Sequence, residues 1–97
     1  MSNEEYRTPQ SKVKYNEDND SIAIEAELPG IAKEDLELNF MENRLTIKGV
    51  TGDRKFKKVF VFRDTPDVEN IEADFHSGLL KLTINHKQPE VIKINVN

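Results

Sequence analysis

The amino-acid sequence predicts an all-β fold, a two-sheet antiparallel β-sandwich of immunoglobulin-like type. Apolar residues recur with a period of two from Ser11 onward, and the runs are short, with turn-forming residues between them. Only residues 32–35 show even one turn of helical character. Seven or eight short strands at this spacing suit two stacked sheets, each burying one face.

Each run can be justified in order. Residues 1–10 lack apolar periodicity and read as a flexible N-terminal arm. Residues 21–28 place Ile22, Ile24, Ala26 and Leu28 on one face and Glu25 and Glu27 on the other, and Pro29-Gly30 ends the run. Residues 36–41 alternate Leu36, Leu38 and Phe40 with Glu37 and Asn39. Glu42-Asn43-Arg44 makes the next turn, and Leu45 and Ile47 begin the following run. Gly49 and Thr51-Gly52-Asp53 read as the hairpin turn into residues 56–62. Pro66-Asp67 interrupts the chain before Ile71, Ala73 and Phe75. His76-Ser77-Gly78 then forms a tight connection to Leu80, Leu82 and Ile84. One domain over 11–86 follows, with a C-terminal extension over 87–97. Pro89 cannot donate to a strand ladder, so the last run, Ile92, Ile94 and Val96, is expected outside the sandwich.

Composition narrows the function. A chain of 97 residues that is 36% hydrophobic and 33% charged has room for one thin core. Zero cysteines exclude a disulfide framework, a thiol nucleophile and sulfur-ligated zinc. A net charge of −4 argues against general affinity for nucleic acid. No apolar stretch is long enough to span a membrane, and residues 1–10 hold no secretory h-region, so a cytoplasmic location is expected.

The polar candidates are few, and each has a plainer reading. His76 and His86, near Asp74 and Glu90, lack a defined third metal ligand, and Ser77 beside His76 lacks an orienting acid. Glu17-Asp18-Asn19-Asp20 holds the oxygens of a calcium loop without its spacing, and reads as an acidic turn. Arg54-Lys55-Phe56-Lys57-Lys58 interleaves cations with an aromatic, as single-strand binders do, yet lysines also guard exposed strand edges. The sequence therefore predicts no catalytic residue, no metal, no cofactor and no nucleic-acid or membrane partner. What stands apart is Ile92-Lys93-Ile94, an apolar pair at strand spacing on a tethered tail, which reads equally as a segment that wants a groove to bury it and as one more strand of the same sandwich.

Four segments together resemble the small heat-shock protein (α-crystallin) family. They are Glu27-Leu28-Pro29-Gly30-Ile31-Ala32-Lys33-Glu34-Asp35-Leu36, then Arg44-Leu45-Thr46-Ile47-Lys48-Gly49, then Ala73 with Gly78-Leu79-Leu80, and the tail Ile92-Lys93-Ile94. Pro29, Gly30, Gly78 and Leu80 are the structural marks of this match. The resemblance implies a sandwich of the α-crystallin type and an ATP-independent holdase that keeps partly unfolded proteins from aggregating. It implies a groove lined by Leu36, Leu38, Ile71 and Ala73, filled by Ile92 and Ile94 of a neighbouring subunit. Burying two isoleucines contributes about 3–5 kcal/mol before ordering costs, so such a contact is reversible.

Three departures accompany the resemblance. Lys58 stands where the family carries an arginine, and Arg63 where it carries a proline. Residues 50–55 are too few to hold the extra strand that bacterial and plant relatives exchange between subunits. A homodimer or small homo-oligomer would then use another edge, such as the strand bearing Lys58 and Phe60. The arm is a polar stub rather than the family's long apolar segment. The alternative from another class is a CS-type sandwich, a monomeric co-chaperone that docks a larger partner.

Overall fold

The computed structural model describes residues 5–18, 20–62, 68–86 and 94–97. Asn19, Arg63, Pro66-Asp67, Pro89, Glu90, Ile92, Lys93 and residues 1–4 of the expected arm lie outside the described residues. Among the described residues, seven strands build two antiparallel sheets, as the period of two predicts. The strands are β1 (Ser11–Asn16), β2 (Ser21–Glu27), β3 (Leu36–Met41), β4 (Arg44–Thr51), β5 (Arg54–Val61), β6 (Val68–His76) and β7 (Leu79–His86). A single 3-10 turn, Lys33–Asp35, precedes β3 where the sequence shows its only helical character. One sheet has the order β1-β2-β7-β6 and the other β3-β4-β5.

The core lies between the sheets. Ile24 and Ala26 of β2, Leu45 and Ile47 of β4, Phe56 of β5, and Leu80, Leu82 and Ile84 of β7 are buried, joined by Leu28 and Ile31 from the loop after β2. Register explains the selection. Ile24 pairs with Leu82 and Ala26 with Leu80, so alternate positions of neighbouring strands share one face.

The turns show why certain residues stand where they do. Ser77 and Gly78 have φ of +48° and +78°, the left-handed pair a two-residue hairpin between His76 and Leu79 requires. A side chain at Gly78 would also stand 3.2 Å from the Leu28 carbonyl oxygen, which Gly78 approaches as its own oxygen accepts the Leu28 N–H at 2.6 Å. The turn after β4 is shorter than the sequence suggests. Thr51 pairs with Arg54 around Gly52-Asp53 alone, and Gly49 belongs to the strand. The physical reason is packing: a Cβ at Gly49 would stand 2.9 Å from Cγ2 of Ile31, which fills that space. Thr51 also secures the 3-10 turn, its hydroxyl accepting the Ala32 N–H and donating to Asp35.

Residues 5–10 run from β1 across one margin of the sandwich to the other sheet. Gln10 accepts the Glu27 N–H, Pro9 is buried, and Arg7 bridges to β5 in parallel. The opposite margin, between β3 and β6, has no such cover among the described residues, and there the core surface opens.

Candidate functional site: an apolar cleft between two sheet edges

At the open margin, Leu38, Asn39 and Phe40 of β3, Leu45 of β4, Ile71 and Ala73 of β6, and Leu82 of β7 line a cleft of about 230 Å³. Strand alternation produces it. Leu36, Leu38 and Phe40 point inward on β3, and Ile71, Ala73 and Phe75 point inward on β6. Both strands are edges, so among the described residues each lacks a neighbour on the side facing the cleft. Leu38, Phe40 and Ile71 are therefore half-buried and Ala73 is exposed, although all four face inward.

Of the residues expected to line a groove, Leu38, Ile71 and Ala73 come together, and Leu36 does not reach it. Leu36 pairs with Gly49 at the far end of β3 and packs against the core instead. The sequence reading missed Phe40, Asn39, Leu45 and Leu82 as lining residues. Phe40 continues the Leu36–Leu38 alternation and was open to that reading; its ring lies 6.0 Å from that of Phe62. Leu45 and Leu82 join only through register, Leu45 opposite Phe40 and Leu82 opposite Ala73. Ile92 lies outside the described residues, and Ile94 is 84% exposed.

The outward faces of the two sheets differ. Lys12, Glu25, Lys81 and Asp74 form one row across β1, β2, β7 and β6, charges alternating in sign, as suits a solvated surface. The other outward face carries Lys48 and Lys57 under the Tyr6 ring at one end and the exposed Met41, Val59 and Val61 at the other. The basic run on β5 does not interleave an available aromatic, because Phe56 is 8% exposed and belongs to the core. Lys58 and Phe60 lie on the inward side of β5, with the Lys58 ammonium 5.3 Å from the Phe60 ring centroid.

The polar candidates disperse. His76 pairs with Asp74 at 2.8 Å beside the β6–β7 turn, whereas His86 stands at the other end of the same ladder, opposite Val68. Among the described residues no three His, Asp or Glu side chains gather into a metal-binding group. Among them, too, no helix is long and apolar enough to cross a membrane.

His86 belongs to a local cluster. Asp20 Oδ1 accepts the Tyr15 hydroxyl at 2.6 Å and lies 3.2 Å from His86 Nδ1, tying the β1–β2 turn to the end of β7. The Tyr15 hydrogen bond, then His86, holds the Asp20 carboxyl below its ordinary 3.8. A carboxyl depressed in the folded state contributes stability above its unfolded pKa, and that contribution disappears as pH falls through the folded value. Tyr15→Phe is therefore expected to flatten the fall in melting temperature below about pH 4. Thermal melts at half-unit intervals from pH 5 to pH 2 test this, and parallel curves for the two proteins would refute it.

A model of the Hsp20/alpha crystallin family matches residues 14–97. Heat shock protein 16 of Schizosaccharomyces pombe is 29% identical over 90 residues, spanning 74% of this chain and 63% of that protein. The 18 kDa antigen 2 of Mycobacterium avium is 31% identical over 97 residues, spanning 82% and 70%. The chain thus spans less than two thirds of the first of these relatives. Among solved structures, heat shock protein 16.0 from S. pombe superposes with a TM-score of 0.72 at 24% identity, over 95% of this chain and 76% of that one. A small heat-shock protein from Xylella fastidiosa, described as having a distinct high order structure, gives 0.67 at 23% identity, over 91% and 96%.

Proposed function

The chain belongs to the Hsp20/alpha crystallin family, and from that premise we propose that it is an ATP-independent holdase rather than an enzyme. In this reading it binds apolar segments of partly unfolded proteins and suppresses their aggregation. The observation that supports it is the cleft between β3 and β6, where Leu38, Phe40, Ile71 and Ala73 present apolar surface between two strand edges that no other described strand pairs. Such an edge accepts an extended segment through main-chain hydrogen bonds, while the cleft takes alternate side chains. A cysteine-free chain is in keeping with a cytoplasmic setting.

The same cleft is the proposed seat of Ile92 and Ile94 from a neighbouring copy, so that tail and client compete for one site. Exposure of Ile94 is in keeping with a tail that finds its partner surface on another molecule. The β5 edge, with Lys58 and Phe60, is the proposed contact for a homodimer.

The test is client aggregation followed by light scattering without ATP, beside mass measured across a concentration range. Suppression by a dimer or larger species is the expected result. Ile92→Ala with Ile94→Ala should reduce any assembly above a dimer and leave the sandwich folded; an unchanged mass distribution would remove the tail from the cleft. A monomer that protects no client would overturn the holdase reading in favour of an adaptor.

A further inference from the structure

Among the described residues, Phe40 is the only aromatic side chain lining the cleft, so its position governs how much room the cleft holds. We infer that Asn43 is a positioning residue for this site: it clamps Phe62 against Phe40, and the braced ring restricts the cleft to aliphatic side chains such as isoleucine. The inference rests on the reading of the cleft as the seat of the tail and adds a determinant of its selectivity.

Phe62 lies one residue past the end of β5. Two hydrogen bonds hold it there. Its N–H donates to the Asn43 carbonyl at 2.8 Å, and its carbonyl accepts from the Asn43 side-chain Nδ2 at 2.9 Å. In an antiparallel ladder, two opposed residues exchange both bonds through their main chains. Here the side-chain amide supplies the second donor, and the ladder gains one pair beyond Arg44 and Val61. Asn43 is half-buried between exposed Glu42 and Arg44, in keeping with a side chain folded back onto the exit of β5. Turn chemistry does not account for an asparagine at this position. The left-handed conformation that asparagine tolerates falls on Glu42, at φ +55°, and not on Asn43.

The clamp reaches the cleft through two rings. The Phe62 centroid lies 6.0 Å from that of Phe40 with the planes tilted by 47°, an arrangement aromatic pairs favour. Leu45, directly opposite Phe40 on β4, is buried and has no open space to yield into. Phe62 is only half-buried, so it is the neighbour free to move once unclamped. Phe40 then turns toward the vacated space, and the cleft grows beyond its present 230 Å³. With the ring braced, an aromatic residue entering the cleft overpacks it.

Asn43→Asp keeps the size of the side chain but replaces the donor with a carboxylate that only accepts, facing the Phe62 carbonyl. Two labelled peptides spanning residues 87–97, one unchanged and one carrying Ile92→Phe and Ile94→Phe, are titrated against the full chain by fluorescence anisotropy. The chain's own tail competes equally with both, so their affinity ratio is unaffected. The unchanged protein should prefer the isoleucine peptide about tenfold. Asn43→Asp and Phe62→Ala should each reduce that preference to about twofold, and the double variant no further, because Asn43 acts through Phe62. A merely structural role would weaken both peptides alike and leave the ratio unchanged. Circular dichroism verifies that each variant is folded, and Phe62→Leu, which keeps apolar bulk without a ring, replaces Phe62→Ala should that variant unfold. A preference untouched by Asn43→Asp would overturn the clamp and leave the cleft standing as the tail's seat. A further fall in the double variant would overturn the route through Phe62, and equal affinity of the unchanged protein for the two peptides would overturn the selection. Binding of neither peptide to the unchanged protein would overturn the cleft itself as the tail's seat, and this inference with it.

Discussion

Replacing Ile47 with alanine is expected to lower unfolding stability by about 3–4 kcal/mol, the largest effect of any single truncation considered for this chain. Ile47 is fully buried at the centre of β4, flanked by Leu38 on β3 and Lys58 on β5. The strand is held on both sides, so the backbone cannot close over the lost methylenes and a cavity remains. For a domain of this size the change corresponds to a melting temperature lower by on the order of 15–20 °C. Urea unfolding monitored by circular dichroism reads it directly. A loss below about 1 kcal/mol would mean that the two sheets collapse over the gap, contrary to a tightly registered sandwich.

The second large effect concerns the cleft. Ala73→Glu is expected to weaken binding of a peptide spanning residues 87–97 by more than about 100-fold. Ala73 is exposed yet faces the cleft, so a carboxylate there stands in the path of the isoleucines proposed to dock and would be buried unpaired by them. Stability should change by no more than about 0.5 kcal/mol, since Ala73 is exposed and a carboxylate there reaches solvent in the free protein. Ala23→Glu is the matched control: the same substitution on an exposed position of β2, whose pairing with Lys14 and Thr83 puts it on the outward face. Fluorescence anisotropy of the labelled peptide with the three proteins decides the matter. Equal loss in Ala73→Glu and Ala23→Glu would attribute the effect to net charge and remove the cleft as the tail's seat.

Much of the architecture was legible in the chain because a period of two dictates which residues share a face. Ile24, Ala26, Leu28, Leu80, Leu82 and Ile84 could be assigned inward from alternation alone, and all are buried. The Ser77-Gly78 hairpin and the 3-10 turn were similarly local, set by residues adjacent in sequence. Gly49 was misread for the complementary reason. A glycine in a strand pattern reads as a break, and only Ile31, eighteen positions earlier, reveals that the missing side chain is a packing requirement.

Alternation also marks Val13 and Tyr15 as sharing a face with Ile22 and Ile24, yet they are 55% and 53% exposed. The first sheet has four strands and the second three, so β1 projects past the cover that β4 and β5 supply. A residue's own sequence specifies its side of the sheet. How far the opposite sheet extends is a property of the assembled pair.

The amino-acid sequence by itself determined the strands, their inward faces and the family, since each depends on local periodicity or short motifs. Tertiary structure alone decided which strands of the described residues stand at the edges. It brought Leu38 and Phe40 beside Ile71 and Ala73, excluded Leu36, and set Arg7 on β5. The physical reason is that strand order is fixed by hydrogen bonding between segments far apart in the chain. An edge is defined by the neighbour it lacks, and a strand's own residues do not encode that.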